Sequence, residues 1–192
     1  MSMPARRGRG RRRLLLAAGG ALAVGAVGGA GLALGGRRPA LLLGSLDQAE
    51  AALARLGTLA AEAAPPGADW SHHRGATLAH LAQSIEYSMQ GFPQPKPLLF
   101  QRTLGAAAFA VFSARGHMSH DLSAPIPGAT ALDAALPLDA GLQRLRQAIG
   151  AFRGWTGPLQ PHFAYGTLDR AAYERAHAMH IAEHLGAWGL SG

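Results

Sequence analysis

Residues 173–188 read YERAHAMHIAEHLGAW. Apart from its glycine this stretch is made of residues that tolerate or favour a helix, and it holds His177, His180 and His184. Positions three, four and seven apart share a face on a helix turning about 100° per residue, so the three imidazoles line up. A neutral imidazole is the commonest protein ligand for divalent transition metals, and two of them one turn apart reach a single ion. The pair His180/His184 is therefore the sharpest chemical signal in the chain. A zincin helix would carry Glu directly after its first histidine, and Ile181 stands there. Any further ligand has to come from another segment. On the same helix Ala178, Ile181, Leu185 and Trp188 form an apolar stripe, so the histidines face either the interior of a helix bundle or its edge.

Working back toward the N-terminus, the connection RGWTGPLQPHFAYGT carries Trp155, His162, Phe163 and Tyr165, and Asp169 is placed to cap the last helix. Its aromatics either roof a pocket or plug the end of a bundle, and plugging is the favoured reading because large aromatics mostly bury area. His162 is a candidate pocket-edge residue. Residues 138–152 present Leu138, Leu142, Leu145, Ile149 and Phe152 at helical spacing, a core helix. Before it lies a long Pro/Gly-rich connection opened by HMSHD. His117 and His120 there are read as a second, weaker metal site, because flexible loops preorganise ligands poorly. The stretch LLFQRTLGAAAFAVFSARG, between Pro97 and Gly116, predicts a helix with Phe100, Leu104, Ala107, Ala108 and Val111 facing the core.

Residues 71–89 predict a helix with Leu78, Leu81 and Ile85 as its apolar stripe. Beside it runs a polar stripe of His73, Thr77, His80, Ser84 and Tyr87. A polar stripe is costly to bury without partners, and His80 is the candidate third ligand. His72 is read as exposed. The first helix, from Ser45, carries Leu46, Ala49, Leu53, Leu56 and Ala60 on one face, with Ser45 and Gln48 spaced as a capping box, and stops at Pro65.

The formal net charge of +7 comes from residues 1–38, which hold eight arginines and no acid, while the ten Lys/Arg of the rest stand against eleven acids. The body thus lacks the clustered positive field that nucleic-acid binding needs. RRGRGRRR followed by an apolar run over residues 14–36 has the layout of an export signal. Arg12, Arg13, Leu14 and Leu15 resemble the twin-arginine type, and eight glycines keep the run weakly apolar. Expected from this are an export segment at 1–38, a partner in the twin-arginine export machinery, and a periplasmic or otherwise exported body over 39–192 that does not itself enter a membrane. An uncleaved leader, long enough for a bilayer that takes about 20 residues, would leave the protein anchored. The chain has no cysteine, which removes thiolate ligands and a thiol nucleophile.

HLAQSIEYSMQGFP after a first helix, then LLFQRTLGAAAFAVFSARG, PIPG and the terminal HFAYGTLDRAAYERAHAMHIAEHL resemble a domain-of-unknown-function family of the DinB-like superfamily, over about residues 45–190. The resemblance implies an all-α fold, a DinB-like four-helix bundle with an extra helix and long connecting loops. It also implies one divalent transition metal (Zn, Ni or Fe) held by three histidines, one on the second helix and two on the last: His80, His180 and His184. The sequence departs from many relatives in having Glu183 beside the last of these. Three imidazoles leave a coordination position open, where a water's pKa falls to about 7. That suits a metal-dependent hydrolase or transferase on a small-molecule substrate, with His177, Glu183 or Tyr87 carrying or orienting a proton. Related superfamily members resemble transferases of cytosolic thiols, which export disfavours. The alternative is a non-enzymatic bundle that binds a metal or a small ligand. His177 is read first as a hydrogen-bonded neighbour of the site. The oligomeric state is open, a homodimer included.

Overall fold

The computed structural model describes residues 39–62 and 73–191, except for the side chains of 59–62. The leader at 1–38, His72, Pro65 and the side chain of Ala60 lie outside the described residues. Among the described residues five helices follow one another: α1 (Leu46–Glu62), α2 (Arg74–Gln90), α3 (built from Leu98–Phe100, Gln101–Gly105 and Ala106–Arg115), α4 (Leu138–Gly154) and α5 (Arg170–Ala187). Among the described residues there is no strand, only an isolated bridge between His162 and Gly166. The fold is all-α, as expected. None of the described helices is long and apolar enough to cross a membrane.

The apolar stripes of α1, α2, α4 and α5 meet in one core. Leu46, Leu53, Leu78, Leu81, Ile85, Leu145, Ile149, Phe152, Ile181 and Leu185 are all buried there, and each such side chain stabilises the fold by roughly 1.5–3 kcal/mol. The closest helix contact is between α2 and α4. A Cβ on Gly75 would overlap the carbonyl oxygens of Leu136 and Pro137, and one on Gly141 would overlap the Gly75 carbonyl. Only glycine lets the two backbones approach this closely. Further along, Arg144 of α4 holds Glu86 of α2 through two hydrogen bonds of 3.0 and 2.8 Å. On the other side of the bundle, Arg153 of α4 pairs with Glu50 and Asp47 of α1.

The helix ends follow the sequence with one shift. Asp169 caps α5 by accepting a hydrogen bond from the Ala172 amide at 2.7 Å. At α1 the Ser45 hydroxyl accepts from the Gln48 amide at 3.3 Å. The Gln48 side chain reaches past Ser45 to accept from the Gly44 amide at 2.6 Å, so the reciprocal half of the box is displaced by one residue.

α3 corrects the expected core face. Leu104 is 60% exposed and Ala107 is exposed, while the buried face is Gln101, Gly105, Ala108 and Phe112. The cause is a wider turn over Gln101–Gly105, which rotates the register, together with the approach of Gly105 to the 160–166 connection, where a Cβ would overlap the Ala164 carbonyl. The Gln101 side-chain amide donates to the Lys96 carbonyl at 2.7 Å. α3 thus stands against the side of the bundle, with Ala108 and Phe112 packed on Met118 and on Met179 of α5.

Candidate metal centre

Ser84 and His80 lie one turn apart on α2, beside its apolar stripe. His177, His180 and His184 lie on one face of α5. Packing α2 and α5 into the same core brings their polar stripes together, with the ring centroids of His80 and His180 at 5.2 Å, His80 and His184 at 5.5 Å, and His180 and His184 at 5.0 Å. These are the three histidines that the family resemblance implied.

The structure adds a fourth. His120, assigned from sequence to a separate and weaker site with His117, lies 4.9 Å from His180 and 5.3 Å from His184, centroid to centroid. His117 is not in the cluster. The connection that carries His120 is pinned rather than loose. Met118 and Ile126 are buried, Asp121 accepts from both the amide and the hydroxyl of Ser123, and the Gln83 side chain of α2 donates to the Thr130 carbonyl at 2.9 Å. The objection that a loop preorganises ligands poorly therefore fails here.

Each of His80, His120, His180 and His184 offers a nitrogen, and these atoms all lie within 4.8 Å of one another. With metal–nitrogen bonds of about 2.0–2.1 Å, nitrogens on opposite sides of one ion are about 4 Å apart, so small side-chain adjustments suffice. Two buried nitrogens, Nε2 of His120 and Nε2 of His184, have no hydrogen-bond partner. Each such atom costs about 1–3 kcal/mol if left unsatisfied, and a shared cation would satisfy both. The donor set fits a divalent transition metal.

Glu183 explains why His120 is held. One carboxylate oxygen accepts from the His120 backbone amide at 3.0 Å and the other lies 2.7 Å from Nδ1. Nδ1 then carries the hydrogen, and Nε2 presents its lone pair to the cluster, the arrangement in which a carboxylate orients a ligating histidine. Of the expected proton-handling candidates, Glu183 is thus the orienter of His120. Tyr87 packs on Phe92 and lines neither of the cavities beside the cluster.

Burial keeps the three helical imidazoles neutral. It lowers the His80 pKa to about 4, with His120 adding to the effect. It lowers His184 to about 2, with His120 and His80 contributing, and pushes His180 well below its ordinary value together with its histidine neighbours. Neutral imidazoles are the form that ligates.

Two further histidines sit beside the cluster. His177 is buried between Phe152 and Tyr173, and burial lowers its pKa to about 3. Its Nε2 lies 3.3 Å from the Ser88 hydroxyl, which itself donates to the Ile85 carbonyl at 2.6 Å. The hydroxyl is therefore the acceptor and His177 Nε2 the donor, which leaves Nδ1 with the lone pair. His162 is stacked on Tyr165. Its Nδ1 accepts from the amides of Ala164 and Tyr165 at 3.1 and 3.2 Å, so its hydrogen is on Nε2, and burial lowers its pKa to about 3.

A cavity of about 100 Å³ opens against the cluster, lined by His80, His120 and His180 together with Lys96, Phe100, Phe163 and Tyr165 among others. The aromatics of the 153–167 connection serve both purposes. Trp155 and Phe163 pack on the bundle core, the plug the sequence favoured, and His162, Phe163 and Tyr165 also line the cavity. A second cavity, of about 390 Å³, reaches His80 and His184 from the side of Thr77 and the 122–134 segment.

Fold and site together define an all-α protein with a four-histidine cluster able to hold a metal ion. The chain belongs to the family described as Protein of unknown function (DUF1569), which matches residues 38–188. No curated protein and no solved structure matches it.

Proposed function

We propose that this chain binds one divalent transition metal through His80, His120, His180 and His184, and that it is a metal-dependent enzyme, a hydrolase or transferase, acting on a small molecule admitted through the adjoining cavity. The observation that carries the metal reading is the pair of orphaned Nε2 atoms on His120 and His184, inside a set of four nitrogens within 4.8 Å of one another. The enzyme reading is supported by the cavity, whose wall includes three of the four histidines. An ion there supplies Lewis acidity. Glu183 orients His120, and His177 presents a lone-pair nitrogen among the cavity-lining residues.

The count of four favours a second reading. Four imidazoles complete a tetrahedral zinc site, and closed sites of that kind are structural or storage sites. Nickel or iron, which take further ligands, would keep positions open. The two readings part in one experiment. The untagged chain is loaded with Co(II), assayed for metal by elemental analysis beside His184→Ala, and titrated with azide while its visible spectrum is recorded. One metal per chain, lost in His184→Ala, with an azide-dependent spectrum supports the enzyme. One metal with a spectrum indifferent to azide supports the binder, and equal metal in both proteins removes the site.

The same proposal takes the chain to be a member of the DinB-like superfamily exported by the twin-arginine machinery, on the strength of the phrases from HLAQSIEYSMQGFP to HIAEHL and of the arginine-rich leader. Replacing Arg12 and Arg13 by lysine and following the protein by cell fractionation tests export. Retention in the cytoplasm is expected, and unchanged fractionation would refute that route.

A further inference from the structure

The cavity against the cluster has an unusual charge pattern for its polarity. Most of its lining is apolar, with Phe100, Met118, Ile126, Phe163 and Tyr165 prominent, and none of its lining residues is acidic. Glu183, the carboxylate nearest to the cluster, is already engaged by His120. Lys96 is the one lysine or arginine in the lining. Its ammonium lies over the Phe100 ring, 5.5 Å from the centroid, and among the described residues no carboxylate pairs with it.

The backbone around this lysine is fixed. The Lys96 amide donates to the Phe163 carbonyl at 2.8 Å, its carbonyl accepts from Gln101, and prolines 95 and 97 flank it. A lysine on a rigid segment, lining a mostly apolar cavity and lacking a counter-charge, is suited to hold an anion. Outside the cluster, the remaining polar groups, Ser84, His162, Tyr165 and His177, add hydrogen-bonding capacity without negative charge.

We infer that the cavity takes a small amphipathic anion, an aryl or short alkyl carboxylate whose apolar body fills the cavity and whose carboxylate is held by Lys96. This deepens the function proposed above and rests on it only for the cation at the histidine wall. The contact with Lys96 is a charge-assisted hydrogen bond, the kind that separates an anion from a neutral molecule of the same shape.

Benzoate and its neutral isostere benzamide are suitable probes. Each is titrated calorimetrically into the full chain, metal-loaded and metal-free, and into Lys96→Met and Lys96→Arg. Benzoate is expected to bind roughly tenfold or more tighter than benzamide, to lose about that factor in Lys96→Met and to recover most of it in Lys96→Arg, while the metal content is the same in all three proteins. Equal affinity for the two probes, absence of benzoate binding, or benzoate affinity unchanged in Lys96→Met would overturn the inference. A wild-type chain that takes up no metal, yet keeps its Lys96-dependent preference for benzoate, would refute the metal reading and leave this one standing.

Discussion

α2 faces two very different neighbours. Toward α4 it is in its tightest contact, glycine against glycine at Gly75 and Gly141 with Leu78, Leu81 and Ile85 buried alongside. Toward α5 and the 117–137 connection it presents His80 and Ser84 to an imidazole cluster and two cavities. The first face gains its stability from close packing. The second borders a set of imidazole nitrogens, two of which, on His120 and His184, have no hydrogen-bond partner within the chain and would be satisfied by a shared cation. A site held open beside a rigid contact is what binding of an ion or a small ligand asks of a scaffold.

The comparison can be broken hardest at the tight face. Gly141→Val places side-chain atoms into the Gly75 backbone and should destabilise the fold by about 3 kcal/mol, read as a lowered urea midpoint. A midpoint unchanged within error would mean that the α2–α4 approach is not as close as described.

The open face should respond to acid. His162 and His177 have pKa values of about 3 when folded against about 6.5 in an unfolded chain. Between those values the unfolded chain binds more protons, so stability falls as the pH drops from about 6.5 toward 3, by up to about 1.4 kcal/mol per pH unit for each group. Urea unfolding of the metal-free chain at pH 7.5, 6 and 5 measures this, and a flat profile would show that these rings are not held neutral.

A smaller effect sharpens the link between the faces. Glu183→Gln keeps the fold but loosens the hold on His120, and metal affinity should fall by about 10–100-fold in a competition titration with a chelator. Unchanged affinity would deny Glu183 its orienting role.

The tight face and the open face were not equally legible in the sequence. The stripes through Leu53, Ile85, Ile149 and Leu185 are periodic, and periodicity survives folding, so the core helices could be read directly. His80, His180 and His184 lie on such periodic helices, and the family resemblance singled them out. His120 sits in a connection whose order comes from tertiary contacts, Gln83 to Thr130 and Glu183 to His120, and no local pattern encodes those. The available hint was Glu183 itself, a carboxylate next to His184 with no lysine or arginine three or four positions away on its own helix. α3 departs from its sequence pattern for a related reason. Its register is set by a wide turn and by the contact of Gly105 with Ala164, whereas helical spacing alone pointed to Leu104.

The central claim is that a loop histidine joins three helical ones around one cation. X-ray absorption spectroscopy on the untagged, Co(II)-loaded chain, beside His120→Ala, addresses it most directly. The account predicts one metal per chain with a first shell containing four imidazole nitrogens at about 2.0–2.1 Å, falling to three in His120→Ala. A wild-type shell of three imidazoles that is indifferent to the His120→Ala change, or no stoichiometric metal at all, would contradict it.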